Sequence, residues 1–117
     1  MTAAAALTMG ALFASQAANS QTPAGDPVRG KVLFVKYTCY GCHGYSGQNG
    51  PGARLVPMKM AQVSFTSYVR SPKSMPAFSG KVITDEQLGD IWAYIKTLPD
   101  APDIKDIPLM QEILKQK

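Results

Sequence analysis

Val28, Val32, Leu33, Val35 and Tyr37 follow Asp26-Pro27 and predict a first helix that ends near Tyr37. An aspartate at that point caps the first free amides, and proline fits the first turn because its missing N–H would have no partner there. The periodicity then lapses. From Cys39 to Pro57 glycine recurs at 41, 44, 47, 50 and 52, which predicts a loop wrapped against something that demands close backbone approach. Val63, Phe65, Tyr68 and Val69 give a short helical period over Ala61–Val69, and Pro72 and Pro76 hold a second loop, Ser71–Gly80. The clearest element is Asp85–Leu98, where Leu88, Ile91, Trp92 and Ile95 recur at helical spacing. Thr84 and Gln87 form a capping-box pattern, Asp85 and Glu86 suit the helix start, Lys96 suits its end and Pro99 stops it. Beyond it, Asp100–Lys117 is broken by Pro102 and Pro108 and ends in a weakly amphipathic stretch, Leu109-Met110 with Ile113-Leu114. The predicted elements are helices joined by loops, an all-α pattern.

Ahead of these elements, Met1–Gln21 lacks Lys, Arg, Asp and Glu, and Ala3–Ala14 is apolar and rich in small residues. That run falls short of the ~20 residues a bilayer span requires, and Ser15-Gln16-Ala17 offers small residues where a signal peptidase reads. Residues 1–20 are therefore expected to be a signal peptide cleaved near Ala17 or Ala18. No Lys or Arg precedes the run, so a start further upstream or a retained short anchor stays open as an alternative. The 117 residues leave room for one compact domain, placed at 21–99 with a C-terminal arm at 100–117, and argue against a two-domain enzyme.

Charge divides the chain. The net +4 combines eight basic residues and no acid between Pro27 and Thr84 (Arg29, Lys31, Lys36, Arg54, Lys59, Arg70, Lys73, Lys81) with seven acids against four lysines from Asp85 onward. One reading is an ordinary solvated surface; the other is a basic docking face for an acidic protein. Nucleic acid is a poor partner, because there is no dense basic run and export removes the chain from the genome.

The chemistry concentrates at Cys39-Tyr40-Gly41-Cys42-His43. Two residues between cysteines place both sulfurs on one side of a single turn, and the next residue projects toward a metal; this is the spacing at which two thiols add to the vinyl groups of haem while histidine ligates iron. A redox dithiol would want a helix beginning at the first cysteine, whereas here one ends just before it. A structural zinc site would need a fourth ligand, and the chain has no other Cys or His. A plain disulfide would leave His43 and the glycine-rich loop without purpose. Since His43 is the only histidine, the sixth iron ligand must be something else: Met58, Met60, Met75, Met110, a lysine, or no residue. Met75 is favoured, because Ser74-Met75-Pro76-Ala77-Phe78 is a proline-stiffened turn between two helices, and His/Met ligation raises the potential of an electron carrier.

Gly30-Lys-Val-Leu-Phe34, Cys39-Tyr-Gly-Cys42-His43-Gly, Gly50-Pro51-Gly52, Met75-Pro76 and Leu88 through Trp92-Ala-Tyr94-Ile-Lys together resemble the class I cytochrome c family across residues 26–98. The resemblance implies an all-α fold around one covalent haem c, with Cys39 and Cys42 as thioethers and His43 and Met75 as axial ligands. It also implies that Gly30 lets the first helix cross closely over the last, with Phe34 and Tyr94 packed at the crossing. Pro51 would offer its carbonyl to the ring N–H of His43, and Arg54 is a candidate partner for a haem propionate. The run Tyr37–Gln48 is similar to the small cytochrome subunits of periplasmic bacterial dehydrogenases. This implies a periplasmic one-electron carrier that accepts from a dehydrogenase and passes to a downstream cytochrome or oxidase, with a membrane contact only if the N-terminal segment is retained. The loops between His43 and Met75 are shorter than in mitochondrial members, implying a more exposed haem edge. The competing function is a haem enzyme or gas sensor with an open or labile sixth position. A peroxidase-like site would want a distal acid or base, and neither a second histidine nor an acid between Pro27 and Thr84 supplies one.

Overall fold

The computed structural model describes residues 24–116; the expected signal peptide at 1–20 lies outside them. Asp26 caps α1 (Pro27–Lys36) through its side chain, which accepts from the amides of Val28 and Arg29. A four-residue helix, α2 (Tyr40–His43), follows almost at once, then α3 (Gln62–Arg70) and α4 (Asp85–Thr97). The capping box at Thr84 and Gln87 forms in both directions, at 3.0 and 3.2 Å. Among the described residues there is no strand, as the helical pattern predicts, and no helix long and apolar enough to cross a membrane.

The organising contact is the crossing of α1 over α4. A Cβ on Gly30 would stand 1.9 Å from the carbonyl oxygen of Asp90, so the two backbones touch where no larger residue fits. Phe34 and Tyr94 meet edge to face beside it, with ring centroids 5.5 Å apart, as the family resemblance implies. Asp90 is buried at the crossing, 1% exposed, and is fully satisfied. It accepts from the Asp26 amide at 2.7 Å and from Arg29 Nε and Nη2 at 2.9 and 3.1 Å, while Arg29 also reaches Glu86 at 3.0 Å. Its bond to Asp90 raises the already high pKa of Arg29. The carboxylate thus fastens the start of α1 to α4 by one amide and one guanidinium, which removes the penalty of burying it alone.

Phe34, Val56, Phe65, Val69, Ile83, Leu88, Ile91 and Ile95 form the core beneath this crossing, with α3 packed across α4. Met58, Phe78, Trp92, Tyr94 and Leu98 border it. After α4 the chain continues through a 3₁₀ turn, Ile104–Asp106, to α5 (Pro108–Lys115), whose main packing partner is that turn. Leu109, Ile113 and Leu114 on α5 stand 65%, 45% and 51% exposed. The root of this arm is tied down by Gln48, which donates to the Pro99 carbonyl at 2.9 Å, and by an Arg54–Asp100 ion pair.

Gly30→Ala is expected to destabilise the protein by ~3 kcal/mol, the upper range for overpacking, because backbone rather than a mobile side chain meets the new methyl. Equilibrium denaturation followed by far-UV circular dichroism measures this, and a loss below ~1 kcal/mol would show that the crossing yields more readily than its geometry implies.

Candidate haem site

The turn between α1 and α2 is tight. Tyr37, Thr38 and Cys39 donate to the carbonyls of Leu33, Val35 and Phe34 at 2.9, 3.0 and 3.0 Å, closing the end of α1. Thr38 takes a left-handed backbone, φ 56°, unfavourable by ~1–2 kcal/mol for a residue with a Cβ. This reversal starts a new helical turn at Cys39 instead of prolonging α1. The His43 and Gly44 amides then reach back to the Cys39 and Tyr40 carbonyls at 3.0 and 2.8 Å. The sequence pattern predicted loop throughout Cys39–Pro57; α2, with Cys39 at its N-cap, corrects that expectation and with it the argument that no helix begins at the first cysteine. Four residues are too few for periodicity to reveal it.

Cys39, Cys42 and His43 therefore share one helical turn, with both thiols free, Cys42 exposed and Cys39 half-buried. Burial pushes the Cys39 thiol pKa up, a shift its own backbone hydrogen bond only partly offsets. That is opposite to the lowered pKa of a reactive dithiol. Tyr40 and Tyr45 stack across the turn, centroids 4.5 Å apart and planes 8° from parallel.

His43 is oriented from behind. Its Nδ1 lies 2.7 Å from the Ala53 carbonyl, which can only accept, so Nδ1 carries the proton and the Nε2 lone pair is left free to bind a metal. The family resemblance assigned this acceptor to Pro51, and the structure moves it two residues along the chain. The reason lies in the glycines. A Cβ on Gly50 would come within 2.0 Å of the Cys42 carbonyl oxygen and one on Gly52 within 3.1 Å of the His43 ring, while the Gly52 amide donates to the Cys42 carbonyl at 2.7 Å. The Gly50–Gly52 backbone is engaged with Cys42, so the first carbonyl to turn toward the imidazole is that of Ala53. The close approach predicted for the glycine-rich loop is thus made, in large part, to Cys42 and His43.

The four methionines proposed as sixth ligands separate. Met58 packs on the core; the Met60 carbonyl accepts from Trp92 Nε1 at 2.9 Å while its side chain is exposed; Met110 lies on α5. Met75 sits half-buried in the loop after α3 and is not among the residues packed on the core. Arg54, expected toward a propionate, donates Nε to the Val56 carbonyl at 2.6 Å and pairs with Asp100. Ser46 Oγ, in the loop just after His43, is buried with no hydrogen-bond partner among the described residues. Two free thiols on one turn, an imidazole locked in the tautomer that presents Nε2, and an unsatisfied buried hydroxyl nearby make a donor set that fits a covalently held haem.

Comparison with known proteins points the same way. The family model described as cytochrome c oxidase, cbb3-type, subunit III matches residues 25–95. A cytochrome bc1 complex cytochrome c subunit of Corynebacterium diphtheriae is 29% identical over 82 residues, covering 66% of this chain and 29% of that protein. Proteins of the same description from Mycobacterium bovis and Mycobacterium tuberculosis are 32% identical over 79 residues, covering 62% of this chain and 28% of theirs. The chain thus spans less than a third of the length of these curated relatives, and no solved structure matches it at comparable significance. With the family match running from the start of α1 to all but the last two residues of α4 and taking in the Cys-x-x-Cys-His turn, the chain belongs to the cbb3-type subunit III family of c-type cytochrome domains and carries covalent haem c.

Proposed function

We propose that this chain is a one-electron carrier in which Cys39 and Cys42 would hold the haem as thioethers and His43 Nε2 and the Met75 sulfur would ligate its iron. The observation that carries the reading is the Ala53 bond to His43 Nδ1, which leaves a single imidazole nitrogen available on the turn that bears both thiols. Haem c supplies a one-electron couple at iron, whose potential rises with thioether ligation. Met75 is preferred over Met58 because Met58 packs on the core, whereas Met75 lies outside it in a loop flanked by prolines. The chain's part is to orient His43 and present Met75. Arg54 remains a candidate for a propionate, which would have to share the guanidinium with Asp100.

The proposed place of work is the periplasm, with electrons entering from a partner dehydrogenase and leaving to a downstream cytochrome or oxidase. Partner recognition is assigned to lysines. Among the described residues Arg29, Arg54 and Arg70 of the basic segment are engaged in ion pairs, whereas Lys31, Lys36, Lys59, Lys73 and Lys81 are exposed and unpaired. Charges of this kind steer an acidic partner and make association fall with salt. The relatives named as cytochrome bc1 complex subunits favour a second reading of the partner, in which a membrane-bound cytochrome complex takes the place of the dehydrogenase.

Denaturing mass spectrometry of the purified protein is expected to show one haem retained on the chain. Cys39→Ala with Cys42→Ala should release it to acid extraction, and a wild-type haem that extracts equally well would overturn the attachment. In the ferric optical spectrum, Met75→Ala should abolish the weak far-red band of thioether ligation and Met58→Ala should keep it. The reverse pattern would transfer the ligand to Met58, and a high-spin wild type that binds carbon monoxide readily would favour the open-site enzyme or sensor.

A further inference from the structure

The loop that carries Met75 is held at its ends and little in between. Ser71 donates to the carbonyls of Ser67 and Tyr68 where α3 finishes, and Phe78 donates to the Val69 carbonyl at 3.2 Å. From Pro72 to Ala77, among the described residues, no backbone–backbone hydrogen bond forms. One side chain crosses the space between the limbs. Arg70, at the end of α3 and 23% exposed, donates Nη1 to the Phe78 carbonyl at 2.8 Å and Nη2 to the Ile83 carbonyl at 2.7 Å, and Nη2 also pairs with Asp85 at the start of α4. Phe78 borders the core and Ile83 is 1% exposed within it, so the guanidinium ties the returning limb of the loop at two points that are themselves anchored.

We propose that Arg70 is the positioning residue for the distal iron ligand: its planar fork fixes the limb Phe78–Ile83 and thereby the reach of Met75 toward the iron. The proposal rests on the His43/Met75 reading above. Arginine suits the task because two diverging carbonyls and one carboxylate must be met at once, which a rigid guanidinium does and a single ammonium does not. The bonds are charge-assisted, and Asp85 balances the charge they leave. Nothing else among the described residues joins the ends of this loop by a side chain, since Tyr37 reaches only the Val82 carbonyl, from α1 at 2.9 Å.

The test uses the haem-loaded full chain and compares Arg70→Lys, Arg70→Gln, Asp85→Asn and Met75→Ala. The readouts are the ferric far-red band, the reduction potential, carbon monoxide binding to the ferrous protein, and far-UV circular dichroism. Arg70→Lys and Arg70→Gln should weaken the thioether bond, with ferrous carbon monoxide binding about tenfold tighter, the order set by losing one charge-assisted hydrogen bond. The far-red band and the potential should fall while helix content and covalent haem stay unchanged, and Asp85→Asn should move the same readouts less. An unchanged band and carbon monoxide affinity in both Arg70 variants, with Met75→Ala abolishing the band, would overturn the clamp and leave the ligand assignment intact. Loss of the band only in proportion to lost helix content would also overturn it, by reducing Arg70 to a structural role. A band that survives Met75→Ala would remove the ligand assignment and the clamp together.

Discussion

Everything in this domain hangs on two helices that touch through glycine. At Gly30 the backbone of α1 lies against the Asp90 carbonyl of α4, closer than any side chain permits. The Asp90 carboxylate then uses its acceptors on the Asp26 amide and Arg29, so one residue of α4 both receives α1 and fastens its start. The direction of α1 decides where its last turn ends. That end decides where Thr38 reverses the chain, and the reversal decides where Cys39, Cys42 and His43 emerge. A binding turn of only four residues has little stability of its own, since helix nucleation is unfavourable at that length. It borrows its position from the crossing at one end and from the glycine wrap around Cys42 and His43 at the other.

The sequence declares these parts unevenly. α4 is legible because Leu88, Ile91 and Ile95, which carry its period, are buried. By contrast, α1 and α3 are placed correctly although Val28, Val32, Val35 and Val63 of the pattern that predicts them are exposed, and α1 instead buries Gly30 and Phe34. Caps at Asp26 and Thr84 mark two of the starts. The Cys39-x-x-Cys42-His43 motif stands out in the sequence because covalent haem attachment fixes that spacing. What sequence spacing does not encode is which carbonyl a loop will aim. Pro51 and Ala53 are two residues apart, and the choice between them follows from the engagement of Gly50 and Gly52 with Cys42, a packing consequence of missing side chains. The same holds for the methionines. Met58, Met60 and Met75 are alike as letters and differ in whether the core, the surface or a loop receives them.

Charge was legible as a sum and not as a set of roles. The excess of basic residues before Asp85 and of acids after it looks in the sequence like two surfaces of opposite sign. In the fold the arginines and the acids are largely stitched to each other: Arg29 to Asp90 and Glu86, Arg54 to Asp100, Arg70 to Asp85. Planar, multidentate guanidinium suits such joints, whereas lysine, a strongly hydrated point charge on a flexible stem, is left outward. The charge available to a partner is therefore carried by lysines, and the arginines of the same segment act inside the fold.

These joints also differ in what they hold together. The Arg29 pair secures the crossing, the Arg54 pair secures the root of the C-terminal arm, and Arg70 alone bridges a loop that lacks a backbone ladder of its own. A loop fixed only at its ends retains conformational freedom at its middle, and that freedom opposes any bond the middle must make. Two prolines, at 72 and 76, remove part of it by fixing their own φ angles. The guanidinium adds a further constraint, by joining the limb at Phe78 and Ile83 to the end of α3. For the thioether proposed as ligand, the cost of ordering the chain around it opposes binding, so prior ordering of the loop favours the proposed bond. Prolines order the loop from within, and Arg70 holds its returning limb from outside, through a side chain whose neighbours are two carbonyls and an aspartate.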